Sequence, residues 1–265
     1  MRALLIQPVE AIGRAIIRPV EDVGRLLRVM VLGTLAIFTP PYRVRLVFKQ
    51  FEFVGVQSLS IVCVTGGFTG AVYALQAAYG FGLFDAEVLT GSTVTISLAR
   101  TLGPVFAALM ITGRAGSAMA AEIGTMRVTE QVDALESMAV DPIEYLVAPR
   151  ILAGVVMVPM AAVVFTAVGM IGAWLVGVNL LEINQGAFLY RIQWYVDPPD
   201  FLWGLVKASI FGYVMSVVGC YKGLYVRGGA EGVGKATTQA VVVASVSILI
   251  LDYFLTDILM STGLW

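Results

Sequence analysis

Hydrophobic positions in this chain gather into five long blocks, at about 53–78, 89–112, 151–178, 201–221 and 238–261. Each supplies the roughly 20 apolar residues that a helix needs to cross a hydrocarbon core of about 30 Å. No stretch alternates polar and apolar residues with the period of two that marks a membrane barrel. Backbone in lipid must also satisfy its own hydrogen bonds, which selects helices. The pattern predicts an all-α membrane protein with five transmembrane helices.

The polar residues between the blocks predict its orientation. Eight Lys and Arg precede the first block; Arg114, Arg127 and Arg150 lie between the second and third, and Lys222, Arg227 and Lys235 between the fourth and fifth. The opposite side offers Arg191 against Asp85, Glu87, Glu182, Asp197 and Asp200. By the positive-inside rule the N-terminus is cytoplasmic and the C-terminus outside.

Residues 1–50 form a segment distinct from the five-helix domain at 51–265. Arg14, Arg18, Arg25 and Arg28 share one side of a helical projection, and Ile12, Ile16, Val20, Val23, Leu27 and Met30 the other. The apolar run 29–38, which stops at Pro40 and Pro41, is too short to span. A basic amphipathic helix in the cytoplasmic interface, kinked at Pro19, is the expectation. Residues 1–10 lack the apolar core of a cleavable signal peptide.

Composition narrows the chemistry. The chain is 58% hydrophobic and only 13% charged, and it contains no histidine. Cys63 and Cys220 lie far apart inside apolar blocks. Zinc sites, His-dependent triads and disulfide frameworks have no residues to build on, and no cofactor, metal or nucleic-acid partner is expected. Gly229, Gly234 and Lys235 reproduce part of a phosphate-binding P-loop, but Ala236 stands where the Mg²⁺-binding hydroxyl belongs and no buried strand precedes it. That stretch reads as a cytoplasmic turn.

Three features remain. In the loop 114–150, Val128, Val132, Leu135 and Ala139 recur at helical spacing, opposite Glu130, Asp133 and Ser137. Asp141, Pro142 and Glu144 match the N-cap, N1 and N3 of a helix leading into the third span. The loop helix suits either a lever that receives force from a soluble motor or a plain solvated surface. Second, Arg100, Lys207 and Asp252 fall inside spans at depths that let them meet, predicting a protein-facing polar cluster, functional or purely structural. Third, Gly66 and Gly70, and Gly169, Ala173 and Gly177, form small-residue faces suited to close helix packing, within the chain or with a second copy.

The runs Leu102-Gly103-Pro104-Val105, Gly113-Arg114-Ala115-Gly116-Ser117, Ala121-Glu122-Ile123-Gly124-Thr125-Met126, Thr129-Glu130-Gln131 and Met138-Ala139-Val140-Asp141-Pro142 resemble the MlaE/YrbE permeases of MCE-associated ABC transporters. The likeness extends from about residue 55 to the C-terminus, with Ala236-Thr237-Thr238 and Leu251-Asp252 in register. It implies a homodimeric permease in the bacterial inner membrane, without an active site of its own. The implied partners are a separate ABC ATPase, a hexameric periplasmic MCE-domain ring and a STAS-domain protein. The implied cargo is glycerophospholipid moved between inner and outer membranes to maintain outer-membrane asymmetry, with a sterol or other hydrophobic cargo as the alternative and a non-transporting scaffold as another. By the same resemblance a coupling helix lies at about 117–140, with Glu122, Thr125, Met126, Glu130 and Asp133 facing the ATPase, and Arg100, Thr101, Lys207, Asp252 and Tyr73 belong to the lipid cavity or the intramembrane cluster. Thr101 stands where many members carry Glu, and Gln239 where they carry a basic residue, so the charge network is expected to be rebalanced here.

Overall fold

The structure, a computed structural model, describes residues 2–40 and 43–263; the side chains of 2–16, 18 and 19 lie outside the described set. The chain order is α1 (Arg2–Phe38), α2 (Val44–Gly82), α3 (Glu87–Val128), α4 (Gln131–Ser137), α5 (Ile143–Leu180), α6 (Gln185–Tyr195), α7 (Pro198–Leu224) and α8 (Gly229–Ser261). Helices α2, α3, α5, α7 and α8 are the five long and apolar enough to cross a membrane. No strand occurs among the described residues.

The spans are longer than the apolar blocks that announce them. Helix α3 runs for 42 residues, about 63 Å at 1.5 Å per residue, twice the thickness of the hydrocarbon core. Its last turns, Ser117–Val128, therefore continue the second span beyond the apolar block as one unbroken helix. This corrects the expectation of a single separate helix carrying Val128, Val132, Leu135 and Ala139. The helix stops at Val128, Glu130 takes a left-handed φ of 59°, α4 follows, and Ala139 is left-handed again at 58°. Of those four apolar residues Val132 alone is buried.

The small-residue faces pack within the chain. Helix α2 turns Val62, Gly66, Gly70, Ala74 and Ala78 onto α5. A Cβ at Gly70 would lie 1.9 Å from the Gly169 carbonyl oxygen, and one at Gly172 would lie 2.2 Å from that of Gly67. Helix α7 crosses α5 in the same manner, Gly212 against Gly154. The core between these helices is filled by Phe165, Phe211, Ile111 and Met215, all fully buried.

Helix α1 docks through Leu26, Val29 and Ile37 on the starts of α5 and the end of α7, with Thr34 Oγ1 and Tyr213 Oη 2.8 Å apart. Its predicted apolar side points away from the bundle: Val20, Val23, Leu27 and Met30 are exposed. Arg25 pairs with Glu21 and Asp22. Ile12, Arg14, Ile16, Arg18 and the kink expected at Pro19 involve side chains outside the described residues, as does Pro41.

Candidate functional site

Helix α3 does not keep regular α-helical spacing through the membrane. Leu98–Leu102 and Thr112–Gly116 are π-turns, single wide turns that disturb the i→i−4 ladder and re-aim side chains. The first carries Arg100 and Thr101. Lys207 of α7, 1% exposed, reaches it: its Nζ donates to the Arg100 carbonyl at 3.2 Å and to Thr256 Oγ1 at 2.9 Å, and lies 2.5 Å from Asp252 Oδ1. Thr166 Oγ1 donates to the Leu98 carbonyl. A cation buried in lipid is tolerable only with such a set of oxygens around it.

Lys207 and Asp252 are thus brought together, while Arg100 joins them through its backbone. Its guanidinium turns to Asp200, with Nε and Nη2 each 2.7 Å from Oδ1. Asp200 is 2% exposed and occupies N3 of α7, where its other oxygen accepts from the Asp197 N–H at 3.0 Å, closing a capping box. Sequence reasoning placed Asp200 among the outer loop charges. The signal was present in Asp197-Pro198-Pro199-Asp200, whose caps and N1 proline mark a helix start, beside an intramembrane arginine in want of an anion. Thr101 sits half-buried in the π-turn. Gln239 accepts from Lys222 Nζ at 3.3 Å, where a basic residue would set two cations side by side.

Tyr73 belongs to a different place. Its hydroxyl lies 3.1 Å from Ser97 Oγ, and it lines a groove of about 400 Å³ between α2 and α3 with Phe68, Thr69, Val72, Gln76, Leu102 and Phe106. Phe106 stacks on the buried Phe165, which fixes that wall. Phe68 and Val72 on the other wall are well exposed. The groove is apolar and aromatic with a few hydroxyl and amide groups, the mix that small-molecule sites use for fit and orientation.

At the other end of α3, Glu122, Thr125, Glu130 and Asp133 are exposed and Met126 is half-buried. Glu122 accepts from Arg150 Nη2 at 2.6 Å, and Arg150, 4% exposed, also donates to the Leu146 carbonyl. Arg127 pairs with Asp133 across the left-handed turn. Arg114 donates to the Phe53 carbonyl at 2.7 Å and to Ser58 Oγ at 3.1 Å, clamping α2 onto α3 where a tighter turn at Val56–Ser58 interrupts its α-helical spacing. This end of α3 is therefore tied to α2, α4 and α5 by arginines that charge counting had used only for orientation.

The profile of the Permease MlaE family matches residues 47–258. The chain belongs to that family. Among its relatives, a probable ABC transporter permease protein of Rickettsia bellii is 43% identical over 96% of this chain and 98% of its own length. The intermembrane phospholipid transport system permease protein MlaE of Haemophilus influenzae is 39% identical over 98% of this chain and 100% of its own. The chloroplastic protein TRIGALACTOSYLDIACYLGLYCEROL 1 of Arabidopsis thaliana is 34% identical over 79% of this chain and 60% of its own. An MlaE-family permease with five apolar spanning helices is a multi-pass membrane protein.

Proposed function

We propose that this permease carries glycerophospholipid between the inner and outer membranes as the membrane-spanning half of an ABC transporter, with the α2–α3 groove as its half of the lipid site. The observation that carries this reading is the groove itself. It is an open, aromatic-walled trough, and a second copy of the chain facing it would close it into a cavity. Acyl chains fit Phe68, Val72, Leu102 and Phe106, and Thr69, Tyr73 and Gln76 offer hydrogen bonds to ester or headgroup oxygens.

On this reading the chain supplies cavity and lever, and a separate ATPase supplies the differential affinity that shifts one exposure of the cavity to the other. Ser117–Val128 and α4 form the lever, presenting Glu122, Thr125, Met126, Glu130 and Asp133 to the motor. The N-terminus is cytoplasmic and the C-terminus periplasmic, on the side of an MCE-domain ring; a STAS-domain protein binds the ATPase. The full-length relative named for intermembrane phospholipid transport supports the choice of cargo.

The test is copurification of the tagged chain in mild detergent, with ATPase assay and lipid mass spectrometry of what comes with it. The expected result is a bound ATPase lost in Glu130→Lys and phospholipid lost in Val72→Trp, which fills the groove. A chain that came out alone, without ATPase or lipid, would leave a membrane scaffold as the better reading.

A further inference from the structure

A second cavity, of about 260 Å³, lies away from the groove, where α1 ends and α2 and α5 begin. Its walls are mostly apolar, with Ile37, Val44, Val47 and Leu152 among them, and two charged side chains, Arg43 and Glu144, complete it.

Glu144 is the informative one. It stands at N3 of the helix that Asp141 caps, from which a glutamate ordinarily reaches back to the N-cap N–H. The N-cap bond goes to N2 and not to N3: Asp141 Oδ1 accepts from the Ile143 N–H at 2.8 Å. The returning bond is absent among the described residues, and Glu144 Oε1 is buried with no hydrogen-bond partner. A buried carboxylate oxygen without a donor is costly, and its persistence points to a donor that the described residues do not themselves supply. Arg43 does not supply it either; its guanidinium sits over the Tyr145 ring, 4.5 Å from the centroid. The cavity thus holds one cation and one anion, kept apart and opening onto apolar walls at the end of the spans.

We propose that this cavity binds the headgroup of a zwitterionic aminophospholipid, its ammonium on Glu144, its phosphate on Arg43 and its chains along Val44, Val47 and Leu152. An anionic lipid such as phosphatidylglycerol has hydroxyls that can donate to Oε1, but it brings no cation to offset the carboxylate and sets its net negative charge beside Glu144. A choline headgroup carries the same charges but has no N–H to donate to Oε1. The bound lipid would join α1 to α2 and α5, a resident molecule rather than cargo. The inference rests on the membrane-embedded fold and not on the transport reading, since the groove shares no residue with this cavity.

The full chain, reconstituted in phosphatidylcholine nanodiscs doped with phosphatidylethanolamine or phosphatidylglycerol and then stripped in detergent, is read by native mass spectrometry. Phosphatidylethanolamine is expected to be retained roughly tenfold over the other two, the scale of one charge-assisted hydrogen bond. Glu144→Gln brings its retention down to that of phosphatidylcholine, and Arg43→Gln loses both. Leu152→Trp, which fills the cavity without touching either charge, removes the bound lipid as well. Soluble glycerophosphoethanolamine does not displace it. Equal retention of the choline and ethanolamine lipids, full retention in Glu144→Gln, or displacement by the soluble headgroup would overturn the proposal.

Discussion

The seam between α2 and α5 and the seam between α7 and α8 solve the same problem in opposite ways. Lipid tails are as apolar as leucine, so neither pair of helices is driven together by the hydrophobic effect. At α2–α5 glycines let the backbones touch, with Gly66, Gly67 and Gly70 against Phe165, Gly169 and Gly172. Helix α8 turns one stripe, Ala236, Ala240, Ala244 and Ile248, onto α7 and α3, and adds the Lys207–Asp252 pair to α7. Outside that stripe α8 is largely open: Val242, Val246, Leu249 and Tyr253 are exposed. The first seam draws its strength from dispersion over many close backbone atoms, and the second adds a buried polar contact to its apolar packing.

The largest effect is expected at the first seam. Gly70→Leu would drive a side chain into the Gly169 backbone, which cannot give way as a flexible side chain would. Overpacking of a well-packed core costs typically about 1–3 kcal/mol, and a backbone obstacle belongs at or above the upper end. The variant should be recovered poorly from membranes and melt far below the parent in detergent. A melting temperature like the parent's would mean that α2 and α5 do not meet at Gly70.

Next comes the polar contact. Lys207→Met leaves Asp252 without its cation and the Arg100 carbonyl without its donor. Breaking a buried pair by removing one partner costs about 3–5 kcal/mol in soluble hosts, the lower end being apt where the carboxylate is partly exposed. Adding Asp252→Leu to Lys207→Met should return most of the loss, because the uncompensated charge is gone. If the double variant melted no higher than Lys207→Met, the pair would not be the fastening of α8. Gly70→Leu has no such rescue from a change in charge, and that asymmetry is the difference between the seams in measurable form.

Much of this was legible in the sequence. Apolar block length announced the five spans, because crossing lipid needs a run of residues that nothing else explains. The four-residue spacing of Gly66 and Gly70 and of Gly169 and Ala173 announced close contact, but a periodicity has no address, and only the fold shows that the two faces meet each other. Lys207 and Asp252 were found as costly charges. Asp200 was missed because burial of a helix N-terminus depends on how deep the helix is set, which the order of residues does not state. The lever region misled for a related reason. Val128, Val132, Leu135 and Ala139 keep helical spacing across Glu130, and the spacing carries no trace of a left-handed residue between them.

A smaller loss is expected where the fastening is shared. Arg100→Leu leaves Asp200 buried, yet that carboxylate still accepts the Asp197 N–H, so part of its need is met. About 2 kcal/mol is the expected cost, between an unpaired buried charge and a satisfied cap. Arg100→Leu combined with Asp200→Asn should recover some of it in the same melting assay. No recovery would show that Arg100 is held chiefly by something other than the carboxylate.

The smallest effect separates stability from coupling. Arg127 and Asp133 pair at an exposed turn, and exposed pairs contribute about 0.2–1 kcal/mol. Asp133→Asn should therefore leave melting within about 0.5 kcal/mol of the parent. If α3 and α4 act as a lever, the same change should still lower the lipid-stimulated ATPase rate of the reconstituted complex, since it loosens the Arg127–Asp133 ion pair tying α4 to the end of α3. The two readouts divide the possibilities cleanly. Unchanged melting with reduced stimulation places Asp133 in force transmission, whereas unchanged melting with unchanged stimulation makes the turn a solvated surface and moves the lever back to the Glu122–Arg150 contact.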